Sequence, residues 1–111
     1  MSDEVKSECW FRFESLSESQ VRALRQHCGS VEVRPIGNVP DRFVASFQFD
    51  PVEKYDWLES FVRVGNISDS EYGVFVYVES THPTPIVELP PFVVELYRRI
   101  GGRMEFSFTI L

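Results

Sequence analysis

The chain has 111 residues, of which 43% are hydrophobic and 14% aromatic, so it is long enough for one folded domain and too apolar for an intrinsically disordered chain. Its net charge of −6 argues against nucleic acid or an anionic membrane as the direct partner, because both require a basic protein face. The polar start, the lack of a long apolar run and the presence of only two cysteines predict a cytoplasmic protein with reduced thiols. We expect residues 1–111 to form a single domain, with 1–7 loosely attached.

The negative charge is concentrated in the segment 50–95. This segment holds nine acidic and two basic residues and therefore carries −7, whereas the rest of the chain carries +1. Such a segment is suited to a basic protein partner, because complementary charge speeds association. The alternative is that the acidic residues only keep a small protein soluble.

The first half of the chain alternates between strand and helix patterns. A strand is predicted at about 8–14, where Phe11 and Phe13 alternate with polar residues. The segment from Ser17 to Gln20 matches a capping box and predicts a helix at about 18–28. Residues 31–49 then predict a hairpin with a connection of about five residues around 37–41.

The second half predicts two further helices and two further strands. Asp50 and Pro51 form a strong helix-start signal, so a helix is expected from there to about residue 64. A strand at 72–79 is followed by a helix that starts at Pro90–Pro91 and stops at Gly101, and by a strand to the end of the chain. We expect that last strand to pair inside the sheet, since an unpaired apolar strand invites aggregation.

This order of elements predicts an α+β fold. We expect a mostly antiparallel sheet of about five strands with three helices on one face. A ferredoxin-like βαββαβ core with an added helix and a C-terminal strand fits the order best.

The sequence offers little chemistry for catalysis, cofactor binding or metal binding, and no residue is assigned to any of these roles. His27 and Cys28 are neighbours on a helix and point in different directions, and His82 has no companion at metal-ligand spacing. Asp56 and Glu59 share a helix face, but the apolar pattern places them on its solvated side.

Aromatic residues mark a candidate partner surface. If Phe11 and Phe13 point to the core, then Trp10 and Arg12 point to the opposite face of the sheet, where Phe75 and Tyr77 can join them. Trp, Tyr and Arg are enriched at binding hot spots. The alternatives are that the 80–90 loop covers this face, or that Trp10 only lies against a neighbouring strand.

The end of the chain resembles a family of small bacterial domains of unknown function. These domains close with Leu-x-Pro, a short helix, a glycine and an alternating strand, and Leu89, Pro91, Leu96, Gly101 and the strand from Arg103 match that pattern. The chain lacks the tryptophan and charged motif that such domains more often carry after the first helix. The resemblance is structural and implies no active site.

The small size, acidity and lack of a catalytic motif also resemble immunity proteins of bacterial toxin systems, including contact-dependent growth inhibition. That resemblance implies tight binding to a toxin domain, often a basic nuclease, and occlusion of its site. The leading hypothesis is therefore a non-enzymatic immunity-type protein. The predicted partner-binding residues are Glu53, Asp56, Trp57, Glu59, Asp69, Glu71 and Tyr72, with Trp57 or Tyr72 as the aromatic anchor.

Two alternatives from other classes stay open. One is a small ligand-binding domain or enzyme with a pocket between the sheet and the helices, which would place His82 and Glu79 at its mouth. The other is a homo-oligomeric adaptor domain that uses an open sheet face. The sequence does not decide between a monomer and a dimer.

Overall fold

The structure of the protein is a computed structural model that describes residues 5–81 and 87–111. Within these residues, three helices and five strands follow one another in the predicted order. The strands are β1 (Val5–Leu16), β2 (Glu32–Pro35), β3 (Phe43–Gln48), β4 (Tyr72–Ser80) and β5 (Arg103–Ile110). The helices are α1 (Glu18–His27), α2 (Trp57–Val64) and α3 (Pro91–Ile100). The predicted α+β class is therefore confirmed.

The five strands form one sheet in the order β2-β3-β1-β4-β5. β1 runs antiparallel to both β3 and β4, and β2 runs antiparallel to β3. The strands that flank α1 are separated by β3, and those that flank α2 are separated by β1, which is the split βαβ arrangement of a ferredoxin-like core. β5 adds to this core as a parallel neighbour of β4.

One face of the sheet, called here the inner face, carries the core. Phe11 and Phe13 of β1, Phe47 of β3, and Val74 and Val76 of β4 are all less than 2% exposed and share this face. The helices add their own buried residues to the same cluster. The opposite face, called the outer face, holds the alternate residues of each strand.

The ends of α1 and α3 follow the sequence signals. The Ser17 hydroxyl accepts a hydrogen bond from the Gln20 amide, and the Gln20 side chain accepts one from the Ser17 amide, which completes the predicted capping box. Pro91 is the first residue of α3, where its missing N–H costs nothing.

The predicted start of α2 at Asp50 was wrong. Asp50 forms a tight turn in which its Oδ1 accepts a hydrogen bond from the Val52 amide at 3.0 Å, and α2 begins only at Trp57. The Asp50 amide donates to the Tyr55 hydroxyl at 2.7 Å, and the Tyr55 ring is buried against the core. An aspartate can cap a turn as well as a helix, and here the turn forms because it brings Tyr55 into the core.

The expectation that the last strand lies inside the sheet was also wrong, because β5 is an edge strand. Strands that follow one another in the chain usually lie side by side in the sheet, and β5 lies beside β4. β1 already pairs with one edge of β4, so β5 pairs with the opposite edge of β4. Gly73 permits this pairing, since a Cβ there would overlap the carbonyl oxygen of Arg103.

Two boundaries differ in length from the prediction. β1 extends to residues 5–16, and the connection between β2 and β3 covers residues 36–42. Among the described residues, the longest helices have ten residues, and none is long and apolar enough to cross a membrane.

Candidate functional site

Two of the predicted contact acids at the start of α2 are engaged within the molecule. Arg99 of α3 forms an ion pair with Asp56 at 3.1 Å and another with Glu59 at 2.7 Å. Glu59 also pairs with Arg63 one helical turn later, at 2.8 Å. The hydrogen bond from Arg99, with help from both nearby cations, holds the pKa of Glu59 below its usual value. The charge at this end of α2 is therefore largely balanced locally.

The other predicted acids lie apart from that cluster. Glu53 is exposed in the turn that precedes α2, whereas Asp69 and Glu71 are exposed in the connection that follows it. The eight residues of α2, about 12 Å of helix, separate the two groups. These acids thus lie beyond opposite ends of α2, a separation that the linear charge count did not reveal.

The two predicted aromatic anchors differ in accessibility. Trp57 is half-buried, and its ring stacks on His27 with centroids 4.6 Å apart. Tyr72 is only 4% exposed, and its hydroxyl donates a 2.5 Å hydrogen bond to the carbonyl oxygen of Ile100. Tyr72 is thus placed in the core, where it joins β4 to the end of α3, and we do not include it in the proposed surface.

The described residues do not assemble a metal-binding cluster. Within residues 5–81 and 87–111, no group of three or more His, Cys, Asp or Glu side chains could hold a metal ion. Cys9 and Cys28 are free thiols, and burial raises the pKa of each, which disfavours the reactive thiolate. The suggested role of His82 at a pocket mouth falls outside the described residues, and Glu79 is exposed on the outer face.

The outer face carries the aromatic cluster that strand alternation predicted. Trp10 on β1 lies directly opposite Phe75 on β4, and Tyr77 lies opposite Glu8 in the next pair. Trp10 and Phe75 are half-buried, and Tyr77 is 44% exposed. The described helices pack on the other side of the sheet, so these rings lie beside one another at the surface of its two central strands.

Arg12 is held in place at one end of this cluster. Its guanidinium carbon lies 5.5 Å from the centre of the Phe75 ring, within the range of a cation–π contact. Its Nε lies 3.4 Å from a carboxylate oxygen of Glu14, although it makes no well-formed hydrogen bond. The indole N–H of Trp10 donates to Glu8 at 3.1 Å. Both large side chains are therefore positioned before any partner binds.

The strands β2 and β3 complete an open groove of about 280 Å³ over this cluster. Ser46 lies beside Arg12 on β3, and Glu32 lies beside Ser46 on β2. Glu32 and Ser46 could not be assigned to the groove from sequence, because only the strand order and register bring them next to β1. The groove is lined by Glu8, Trp10, Arg12, Glu32, Arg34, Ser46, Phe75 and Tyr77.

Comparison with protein-family models, curated proteins and solved structures finds no match to this chain. The resemblance to small bacterial domains, and the likeness to immunity proteins, therefore stay predictions. The functional conclusion rests on the geometry and charge of the chain itself.

Proposed function

We propose that this protein is a non-catalytic binding module of the immunity type, which binds a toxin domain through the outer face of its sheet and occludes it. The observation that carries the proposal is the cluster of Trp10, Phe75, Tyr77 and Arg12 on a face that the described helices leave open. Three aromatic rings on a solvent-facing sheet expose an apolar patch, and such patches mark interaction sites. Aromatic residues and arginine also contribute most of the binding energy at protein interfaces.

The cluster has the layout of an interface hot spot. Trp10 and Phe75 are directly opposite each other on neighbouring strands, so one partner can contact both side chains. Arg12 is restrained by Glu14 and by the Phe75 ring, so it loses less conformational freedom on binding than a free arginine would. Aromatic anchors with a preorganised arginine give affinity and geometric specificity together.

Charge supports a protein partner rather than nucleic acid. The groove carries two acidic residues, Glu8 and Glu32, beside two basic ones, Arg12 and Arg34, so it lacks the basic surface that a phosphate backbone needs. The net charge of −6 favours encounter with a basic partner, and the exposed acids around α2 add to that field. A basic toxin domain fits both properties.

The groove suits a protein surface better than a small ligand. Ligand pockets usually enclose about 300–1,000 Å³ and bury most of the ligand. This groove is at the lower limit in volume, at about 280 Å³, and is open to solvent along the sheet. The space between the sheet and the helices is filled by the hydrophobic core, so a small ligand there would have to use an open surface depression such as the one of about 320 Å³ between α1 and α2.

The experiment is affinity capture from the source lysate with three baits: the wild-type chain, the double variant Trp10→Ala/Tyr77→Ala, and Val39→Ala as a matched control. Val39 is an exposed apolar residue in the connection between β2 and β3. We expect the wild type and the control to retain one stoichiometric basic protein and the double variant to lose it. With the purified partner, the double variant should weaken binding at least about 30-fold, as expected for loss of about 2 kcal/mol at a hot spot.

Two further measurements decide the class of partner. Co-expression of the wild-type chain should relieve the toxicity of the captured protein, and the double variant should not. The association rate should also fall as salt is raised, because the charges of the two proteins attract. Equal capture by the double variant would reject the outer face as the site. Tight binding of a single-stranded oligonucleotide instead, with quenching of Trp10 fluorescence, would replace a protein partner with nucleic acid.

A further inference from the structure

β5 is an edge strand without the usual protection against pairing. The other edge strand, β2, has only four residues and ends in Pro35, which shortens and blunts it. β5 has eight residues, contains no proline, and has a free edge that no strand within residues 5–81 or 87–111 covers. Its inner-face side chains Phe106, Phe108 and Ile110 are 47%, 57% and 62% exposed. Such an edge is a template for another strand.

The hydrogen bonds to β4 show which backbone groups of β5 are free. The Leu111 amide donates to the carbonyl oxygen of Ser80 at 2.9 Å, so Leu111 points its backbone groups toward β4. Because successive residues of a strand direct these groups to opposite sides, the odd-numbered residues of β5 bond to β4. The even-numbered residues, from Met104 to Ile110, direct their N–H and C=O groups to the free edge.

We propose that a second copy of this chain pairs its own β5 antiparallel with this edge, around a two-fold axis at Ser107. In this register Met104 pairs with Ile110 of the second copy, and Phe106 pairs with Phe108. All four pairs involve residues whose backbone groups are free, so the register forms about eight new hydrogen bonds. We call the contact between the two β5 strands the seam. On the inner face of the seam, apolar side chains contact only apolar side chains.

Neighbouring registers fit less well. If the axis lies one residue away, at Phe106 or Phe108, inner-face side chains still lie opposite inner-face side chains. However, an apolar residue at one end of each strand then has no β5 residue opposite it. Moving the axis to Glu105 places two carboxylates directly opposite each other, which is unfavourable. With the axis at Ser107, Glu105 faces Thr109 of the second copy. The sequence of β5 is therefore self-complementary at this register.

The area available predicts a modest affinity. The exposed fractions of Phe106 and Phe108 together amount to about one whole phenylalanine, or roughly 200 Å². Ile110 and Leu111, at 62% and 73% exposed, roughly double this figure. A standard interface buries about 800 Å² on each partner, which is about twice the apolar area that β5 offers. We therefore expect a weak dimer with a Kd on the order of 10 μM.

Pairing in this way joins two five-stranded sheets into one sheet of ten strands. The two-fold axis is perpendicular to the sheet, so both outer faces lie on the same side. Five strand spacings separate the two copies of β1, so the two strands that carry Trp10 lie about 24 Å apart across the sheet. The pairing itself does not depend on what binds the outer face.

The first test measures the oligomeric state of the full chain by analytical ultracentrifugation from about 1 to 300 μM, a range that spans the expected Kd. The wild type should pass from monomer to dimer. Phe108→Lys places a charge in the apolar seam and should remain monomeric at every concentration. Val64→Lys makes the same kind of change at a residue that is 83% exposed on α2, and should dimerise like the wild type. A wild type that stays monomeric at the highest concentration, or a Phe108→Lys variant that still dimerises, overturns the proposal.

The second test reports the register without a change in the apolar seam. At the two-fold axis, residue 107 faces its own copy in a non-hydrogen-bonded pair with Cα atoms about 4.5 Å apart, within reach of a disulfide. Ser107→Cys should therefore give a covalent dimer under mild oxidation. Thr109→Cys is the control, because its symmetry mate would lie four residues along the strand, about 14 Å away. Equal cross-linking of the two variants, or cross-linking no greater than in the wild type, overturns this pairing.

Discussion

Trp10 and Phe11 are chain neighbours on opposite faces of the sheet, and their substitution tests whether the outer face is open. Phe11 is fully buried, and its ring packs against Phe13, Phe47 and Tyr72. Trp10 is only half-buried. We predict that Phe11→Ala destabilises the domain severely and that Trp10→Ala does not.

The magnitudes follow from the buried area. A buried ring removes about 200 Å² from water, which at ~25 cal/mol per Å² gives an upper limit of about 5 kcal/mol for Phe11. Phe→Ala changes in cores cost about 3–5 kcal/mol, a large part of the roughly 5–15 kcal/mol that holds a domain together. For Trp10→Ala we expect about 1 kcal/mol or less, although tryptophan is the larger side chain.

The assay is urea unfolding followed by far-ultraviolet circular dichroism, with the free energy of unfolding extrapolated to water. Phe11→Leu should cost about 1 kcal/mol and serves as the inner-face variant if Phe11→Ala does not fold. Equal or greater destabilisation by Trp10→Ala than by Phe11→Ala would refute the reasoning. It would mean that part of the chain outside the described residues, or a second molecule, covers the outer face in the free protein.

Two other consequences of the structure are open to measurement. Gly73→Ala should lower the free energy of unfolding by about 1–3 kcal/mol and speed amide exchange in β5, because a Cβ at Gly73 overlaps the backbone of Arg103. The control is Gly29→Ala, where no atom lies within 4 Å of the added Cβ. This control should change the free energy of unfolding little. The ion pair between Glu59 and Arg99 lowers the pKa of the carboxyl group, so its contribution is present at neutral pH and is lost as the pH falls through the lowered pKa. In urea titrations over about pH 6 to 2, Arg99→Gln should therefore reduce the loss of stability on acidification, and a curve parallel to that of the wild type would contradict this role for the pair.

The sequence was sufficient to predict the order of elements and the two faces of the central strands. Alternation along β1 separates Phe11 from Trp10, and the same period along β4 separates Val76 from Phe75 and Tyr77. Both assignments depend only on the two-residue period of a strand, which is a local property. The capping box and the proline at the start of α3 are local in the same sense, and the structure contains both.

What sequence could not supply depends on contacts between distant elements. The signal at Asp50 is the same for a turn and for a helix, and the burial of Tyr55 decided between them. β5 has a typical strand pattern, but its edge position follows from β1 already occupying one side of β4. The residues that line the groove could not be predicted for the same reason, because only the register between β2 and β3 brings Glu32 into it.

The charge count illustrates why a linear segment is a poor guide to a binding surface. The segment 50–95 carries −7, but Arg99 lies just beyond it and folds back onto Asp56 and Glu59. The exposed acids Glu53, Asp69 and Glu71 lie beyond the two ends of α2. Their joint effect is a diffuse negative field, which alters association rates more than it selects a partner. Selectivity needs a fixed local arrangement of side chains. On the outer face, Trp10 and Phe75 are paired across two strands, and Arg12 is held against the Phe75 ring. For the basic partner that we propose, the acids should therefore govern the association rate, and the aromatic cluster on the outer face should govern specificity.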